Sequence, residues 1–150
     1  LVVVIGSEAA NIGEQDALST VWGYAVGNDL TRRDLQLAAR EKGRPWDEGK
    51  AFDHSAVIGP VARVAEVGHP TKGSIRLSVN EEVKQDADLN ELIWSVPEII
   101  SILSHSFMLK PGDLIMTGTP AGVGPLAAGD VCKVSIAGLE EIVTEVAQRA

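Results

Sequence analysis

A chain of 150 residues, 45% of them hydrophobic, is long enough for one domain with a real core and too apolar to be disordered. Its formal net charge of −8 excludes a broad basic face for nucleic acid or anionic lipid, so an anionic ligand would need locally placed Arg and Lys or a bound cation. The single cysteine, Cys132, excludes an intrachain disulfide, and a cytoplasmic location is the expectation.

The elements follow in chain order. Residues 1–5, Leu-Val-Val-Val-Ile, form a continuous branched apolar run and are predicted to be a buried strand. The run is too short for a signal-peptide core and lacks a basic flank, and no apolar stretch approaches the roughly 18 residues of a membrane span. The first residue is Leu1, within an apparent strand, so further residues are expected upstream. A short helix is predicted at 14–21 and a strand at 22–26. A longer helix is predicted at 31–42, with Thr31 and Asp34 in capping-box spacing, Leu35, Ala38 and Ala39 on one face, and Gly43 and Pro45 as the stop. Residues 75–79 alternate as a strand, and Asn80-Glu81 is a candidate hairpin turn. Residues 89–94 and 97–107 read as helical, the second with a Ser95/Glu98 capping box and Pro97 in its first turn. Strands are predicted at 113–117, 131–136 and 142–146. The balance is β-rich, with two or three helices.

Chemistry concentrates in a few places. Asp29 precedes the 31–42 helix, while Arg33 and Gln36 share one face of its first turn. A hard cation on Asp29 and a carboxylate on Arg33 would suit a helix N-terminus; a solvated Asp–Arg pair suits the same spacing. Lys50, beside Asp53 and His54, is either a surface lysine or an anion contact. His54, His69 and His105 have no metal-ligand spacing and read as structural or surface residues. Cys132, inside a strand-like run, reads as a small core residue. The run Thr117-Gly118-Thr119-Pro120-Ala121-Gly122-Val123-Gly124-Pro125 lacks the Lys-Ser/Thr ending of a phosphate loop. It is either a tight turn or a place where backbone approaches a ligand, with Thr117 or Thr119 offering a hydroxyl.

Four stretches together resemble the fumarylacetoacetate hydrolase family: residues 23–36 (GYAVGNDLTRRDLQ), 50–55 (KAFDHS), 93–100 (IWSVPEII) and 111–125 (PGDLIMTGTPAGVGP). With Gly43-Arg44-Pro45-Trp46, the 31–36 segment looks most like the fumarylpyruvate-cleaving branch of gentisate-type aromatic degradation. The resemblance implies a mixed α/β, β-rich fold, a β-sandwich roll with a few short helices. Residues 1–150 would be one catalytic domain lacking its N-terminal part, in a homodimer. It implies Mg²⁺ or Mn²⁺ held by Asp29 and by a Glu-x-Glu pair expected just upstream of Leu1, with a water-activating His–Glu dyad further upstream. Arg33, Gln36 and Lys50 would line the substrate and oxyanion pocket, and Thr119 would contact the 2-oxo acid. The implied reaction is hydrolysis of a C–C bond in an acylpyruvate, fumarylpyruvate giving fumarate and pyruvate. Two alternatives stand beside it: a 2-oxo acid decarboxylase or isomerase of the same family, and an inactive binding or structural subunit. Arg32 and Arg44 flank the proposed pocket helix as candidates for a second substrate carboxylate. Leu139-Glu140-Glu141 departs from the glycine usual after that leucine.

Overall fold

A computed structural model describes residues 1–148. Two four-stranded antiparallel sheets and one two-stranded sheet carry the chain, with short helices between them. The first sheet centres on β1 (Val2–Ile5), flanked by β2 (Val21–Ala25) and by β8 (Leu114–Met116), with β5 (Ala62–Arg63), which leads into the one-turn helix α4 (Val64–Val67), on the far side of β2. All four residues of β1 are buried, which is why its sequence is apolar without alternation. Each fully buried Val or Ile contributes about 1.5–3 kcal/mol.

The second sheet runs β10 (Ile142–Glu145), β9 (Val131–Ile136), β6 (Ser74–Val79), β7 (Glu82–Asp88). Val134, Ile136 and Ile142 from this sheet join Val3, Ile5 and Tyr24 from the first in one core. Asn80 and Glu81 close the β6–β7 hairpin, as expected of that pair, and both have positive φ, 50° and 68°, as a primed turn requires. The small sheet pairs β3 (Gly27–Asp29) with β4 (Ala56–Ile58).

Helix α5 (Val96–Ser106) has the expected capping box: Ser95 accepts from the Glu98 amide, and Glu98 accepts from the Ser95 amide. Its inner face carries buried Ser101 and Ser104 beside Ile100. Ser101 Oγ donates to the Ile12 carbonyl at 2.8 Å, and Ser104 Oγ accepts from the Ile12 amide at 3.1 Å. These two bonds dock the helix next to α1 (Glu14–Ala17).

Some sequence expectations change. The 14–21 helix is one turn, α1, followed by a 3₁₀ turn at Leu18–Thr20, and Val21 already belongs to β2. The 89–94 helix reduces to a 3₁₀ turn at Leu89–Glu91, capped by Asp88; Leu92 is extended and Ser95 begins α5 afresh. Helix α2 (Arg33–Glu41) stops at Gly43, φ 61°, but Thr31 does not cap it: the N-cap is Arg32 and no side chain fills that role. The Thr31 hydroxyl is engaged elsewhere, as an acceptor for Lys50.

Candidate functional site

Strand β3 sets out the first component. Gly27 and Asp29 share a face, and a Cβ on Gly27 would lie 2.5 Å from Val2 Cγ2, so β3 packs against β1 only because glycine is there. Asp29 is thereby presented at the wall of a cavity of about 970 Å³.

The second component comes from α2 and from α3 (Asp47–Lys50). The two helices touch backbone to backbone through Gly49, whose added Cβ would sit 2.9 Å from the Gln36 amide nitrogen. The Arg32 amide donates to the Gly49 carbonyl at 3.0 Å. This contact carries Lys50 across to Asp29: Nζ lies 2.6 Å from Asp29 Oδ2 and 3.0 Å from Thr31 Oγ1. Thr31 therefore serves as an acceptor for Lys50 rather than as a helix cap. The Lys50 and Asp29 side chains remain 33% and 42% exposed, so the pair is open to a ligand.

Arg33 also lines the cavity, and its Nη1 donates to Gln36 Oε1 at 2.5 Å. Gln36 itself is buried behind Arg33 and is absent from the cavity wall, contrary to the pocket-lining role expected for it. The reason is the α2–α3 contact, which covers Gln36 and leaves its amide to hold the guanidinium.

The third component is the segment after β8. Gly118 and Gly122 have positive φ, 108° and 100°, and a Cβ on Gly122 would lie 1.9 Å from the Lys84 carbonyl oxygen, so the loop is pressed against β7. The two threonines divide their tasks. Thr117 Oγ1 donates to the Leu1 carbonyl at 3.1 Å, whereas Thr119 lies on the cavity wall and accepts from Gln85 Nε2 at 2.8 Å. Asp29, Arg33, Lys50 and Thr119 thus share one cavity, floored by the apolar inner faces of β6 and β9. Gln85 was missed in the sequence because β7 is an edge strand of mostly polar residues, among which one glutamine carries no signal.

Other candidates fall away from chemistry. Cys132 is buried in that floor and burial pushes its thiol up from the ordinary value, which opposes a nucleophilic thiolate. His69 Nδ1 is 2.7 Å from the hydroxyl of Tyr24, whose own pKa burial pushes up to about 12. His105 Nδ1 is 2.7 Å from the Ser101 carbonyl.

As for a metal, the described residues bring no three of His, Cys, Asp and Glu together. Asp29 supplies one hard, accessible oxygen donor, which fits a Mg²⁺- or Mn²⁺-type ion at one vertex of its shell.

Residues 1–147 match the model of the fumarylacetoacetate (FAA) hydrolase C-terminal family. The chain belongs to this family. It is 46% identical over 142 residues to a fumarylpyruvate hydrolase of Ralstonia sp, covering 95% of this chain and 73% of that protein. It is 38% identical over 149 residues to a mitochondrial oxaloacetate tautomerase of Oryza sativa subsp. japonica, covering 99% of this chain and 66% of that protein. Among solved structures, the fumarylpyruvate hydrolase from Pseudomonas aeruginosa in complex with Mn²⁺ and pyruvate superposes with a TM-score of 0.97 at 49% identity. That match covers 99% of this chain and 64% of the Pseudomonas chain. The family fold, mixed α/β and sheet-rich with short helices, is the one expected from the sequence. The chain spans about two thirds of the length of these relatives, 66% and 64% in the last two.

Proposed function

We propose that the chain is the core of a metal-dependent acylpyruvate hydrolase that cleaves fumarylpyruvate to fumarate and pyruvate. The observation that carries this reading is the 49% identity and 0.97 TM-score to a fumarylpyruvate hydrolase solved with Mn²⁺ and pyruvate, together with Asp29, Arg33, Lys50 and Thr119 around one cavity. When bound, Mg²⁺ or Mn²⁺ would be held in part by Asp29 and would supply Lewis-acid polarisation of the 2-oxo acid. Thr119 orients the 2-oxo acid end. Water adds to the C4 carbonyl, and Lys50 and Arg33 donate to the oxyanion that develops there. Gln36 acts through Arg33, holding the guanidinium in its pose. Breaking the C3–C4 bond releases fumarate, and the pyruvate enolate takes a proton. An acidic chain can focus these cations locally because only the cavity, not the whole surface, must attract the substrate.

A second reading is enolisation of a 2-oxo acid without hydrolysis. It is favoured by the relation to an oxaloacetate tautomerase at 38% identity and to a 5-carboxymethyl-2-hydroxymuconate delta-isomerase from Mycobacterium smegmatis at 30% identity and a TM-score of 0.90.

Fumarylpyruvate has a second carboxylate. Neither Arg32 nor Arg44 is on the cavity wall. The Arg32 guanidinium stacks 4.2 Å from the ring centroid of Phe52, which is on the wall. Arg44 lies past the C-terminus of α2 and is exposed, its backbone amide donating to the Ala39 carbonyl. Arg32 is therefore the better of the two candidates for that carboxylate. The protein is expected to prefer fumarylpyruvate to acetylpyruvate about ten- to a hundredfold in kcat/KM, the worth of one charge-assisted contact, and Arg32→Ala to narrow the ratio. Equal or better cleavage of acetylpyruvate by the wild type would overturn the assignment to fumarylpyruvate.

A homodimer is part of the same proposal. Of the large apolar residues around α5, Ile100 is fully buried, but Ile93, Trp94 and Phe107 are 93%, 52% and 64% exposed. Ile93 and Trp94 border an apolar groove of about 790 Å³. A surface of that kind is more often an interface than bare. Light scattering at micromolar concentration is expected to give twice the chain mass; a monomer would contradict it.

A further inference from the structure

We infer that Gln85 is a positioning residue that makes Thr119 a hydrogen-bond donor toward the cavity and so sets the affinity for a 2-oxo acid carboxylate. Gln85 lies opposite Leu77 on β7 and is 7% exposed. Its amide nitrogen has two hydrogens, and both are used: one to Thr119 Oγ1 and one to the Pro120 carbonyl, each at 2.8 Å. The amide cannot be turned round, because the Pro120 carbonyl only accepts and the group facing it must donate. Thr119 Oγ1 therefore receives a hydrogen from Gln85, and its own hydrogen must go elsewhere. Among the described residues Thr119 Oγ1 has no other partner, and Thr119 and Gln85 line the cavity that Asp29 and Lys50 also line. A hydroxyl so fixed is matched to an oxygen that only accepts, such as a carboxylate or ketone oxygen. The Pro120 bond and the close approach of Gly122 to Lys84 hold the whole turn to β7, so Gln85 fixes both where the hydroxyl sits and which way it points.

This inference rests on the 2-oxo acid reading above. The test is calorimetric titration of pyruvate into Mn²⁺-saturated protein, with separate Mn²⁺ titrations and thermal melts of each variant. Gln85→Met keeps the length and removes both donors; Thr119→Val removes the hydroxyl. Each is expected to weaken pyruvate binding by about tenfold with Mn²⁺ affinity unchanged, and the double variant to lose no more than Thr119→Val alone. Gln85→Glu, whose carboxylate would accept the Thr119 hydrogen, is expected to lose at least as much and serves if Gln85→Met does not fold. Wild-type affinity in the folded Gln85 variant, or losses that multiply in the double variant, would overturn the inference while leaving the 2-oxo acid reading intact. Failure of the wild type itself to bind pyruvate would sink that reading and this inference with it.

Discussion

Replacing Lys50 with Met is expected to lower kcat for fumarylpyruvate by about 10²–10³-fold, the usual cost of losing one oxyanion donor. Fold stability should change little, because a half-exposed ion pair contributes only about 0–1 kcal/mol. Lys50 sits at the end of a one-turn helix, with its ammonium 2.6 Å from Asp29 and 3.0 Å from Thr31. Two acceptors hold one of its donors each and leave a third free for a developing negative charge. Methionine retains the stem and removes every donor. A steady-state assay beside a thermal melt separates a lost donor from a lost fold. Near-normal turnover would reduce Lys50 to a solvated lysine that happens to pair with Asp29.

Replacing Asp29 with Ala is expected to weaken Mn²⁺ binding by at least about a hundredfold. Changes to groups that merely support a metal ligand already cost 10–100-fold, and Asp29 offers its oxygen directly. The loss should be larger than for Asp29→Asn, which keeps one oxygen donor without the charge. Asp29→Ala also strips Lys50 of its partner, so turnover should fall further than in Lys50→Met. Calorimetry with Mn²⁺ gives the answer directly, and unchanged affinity would remove Asp29 from the site.

Much of this was legible in the sequence where one residue type has one physical use. The 1–5 run is apolar throughout because β1 is covered on both faces, and Ser95 with Glu98 marks the start of α5 because the two close each other's free amides. Thr31 misled for the opposite reason. A threonine before a helix can cap it or serve a neighbour, and only the approach of α3 through Gly49 shows that Lys50 takes its hydroxyl. Gln36 sat at the right spacing beside Arg33, but spacing along one helix does not reveal that a second helix buries it. Residues 89–94 carry helical composition, yet Asp88 caps only a single 3₁₀ turn before Ser95 opens a new helix. Strand β7 stayed hidden because its stability comes from ladder bonds to β6 rather than from apolar side chains, and Gln85 stayed hidden with it.

Hydrolysis and enolisation can be set against each other on one preparation. The protein, saturated with Mn²⁺, is given fumarylpyruvate and, separately, enol-oxaloacetate, and the products are quantified by chromatography and by ultraviolet absorbance. The expected result is fumarate and pyruvate in equal amounts from fumarylpyruvate, dependent on Mn²⁺ and on Lys50, at a kcat/KM above that for oxaloacetate tautomerisation. Rapid oxaloacetate tautomerisation with fumarylpyruvate left intact would contradict the hydrolase and leave the enolising reading in its place.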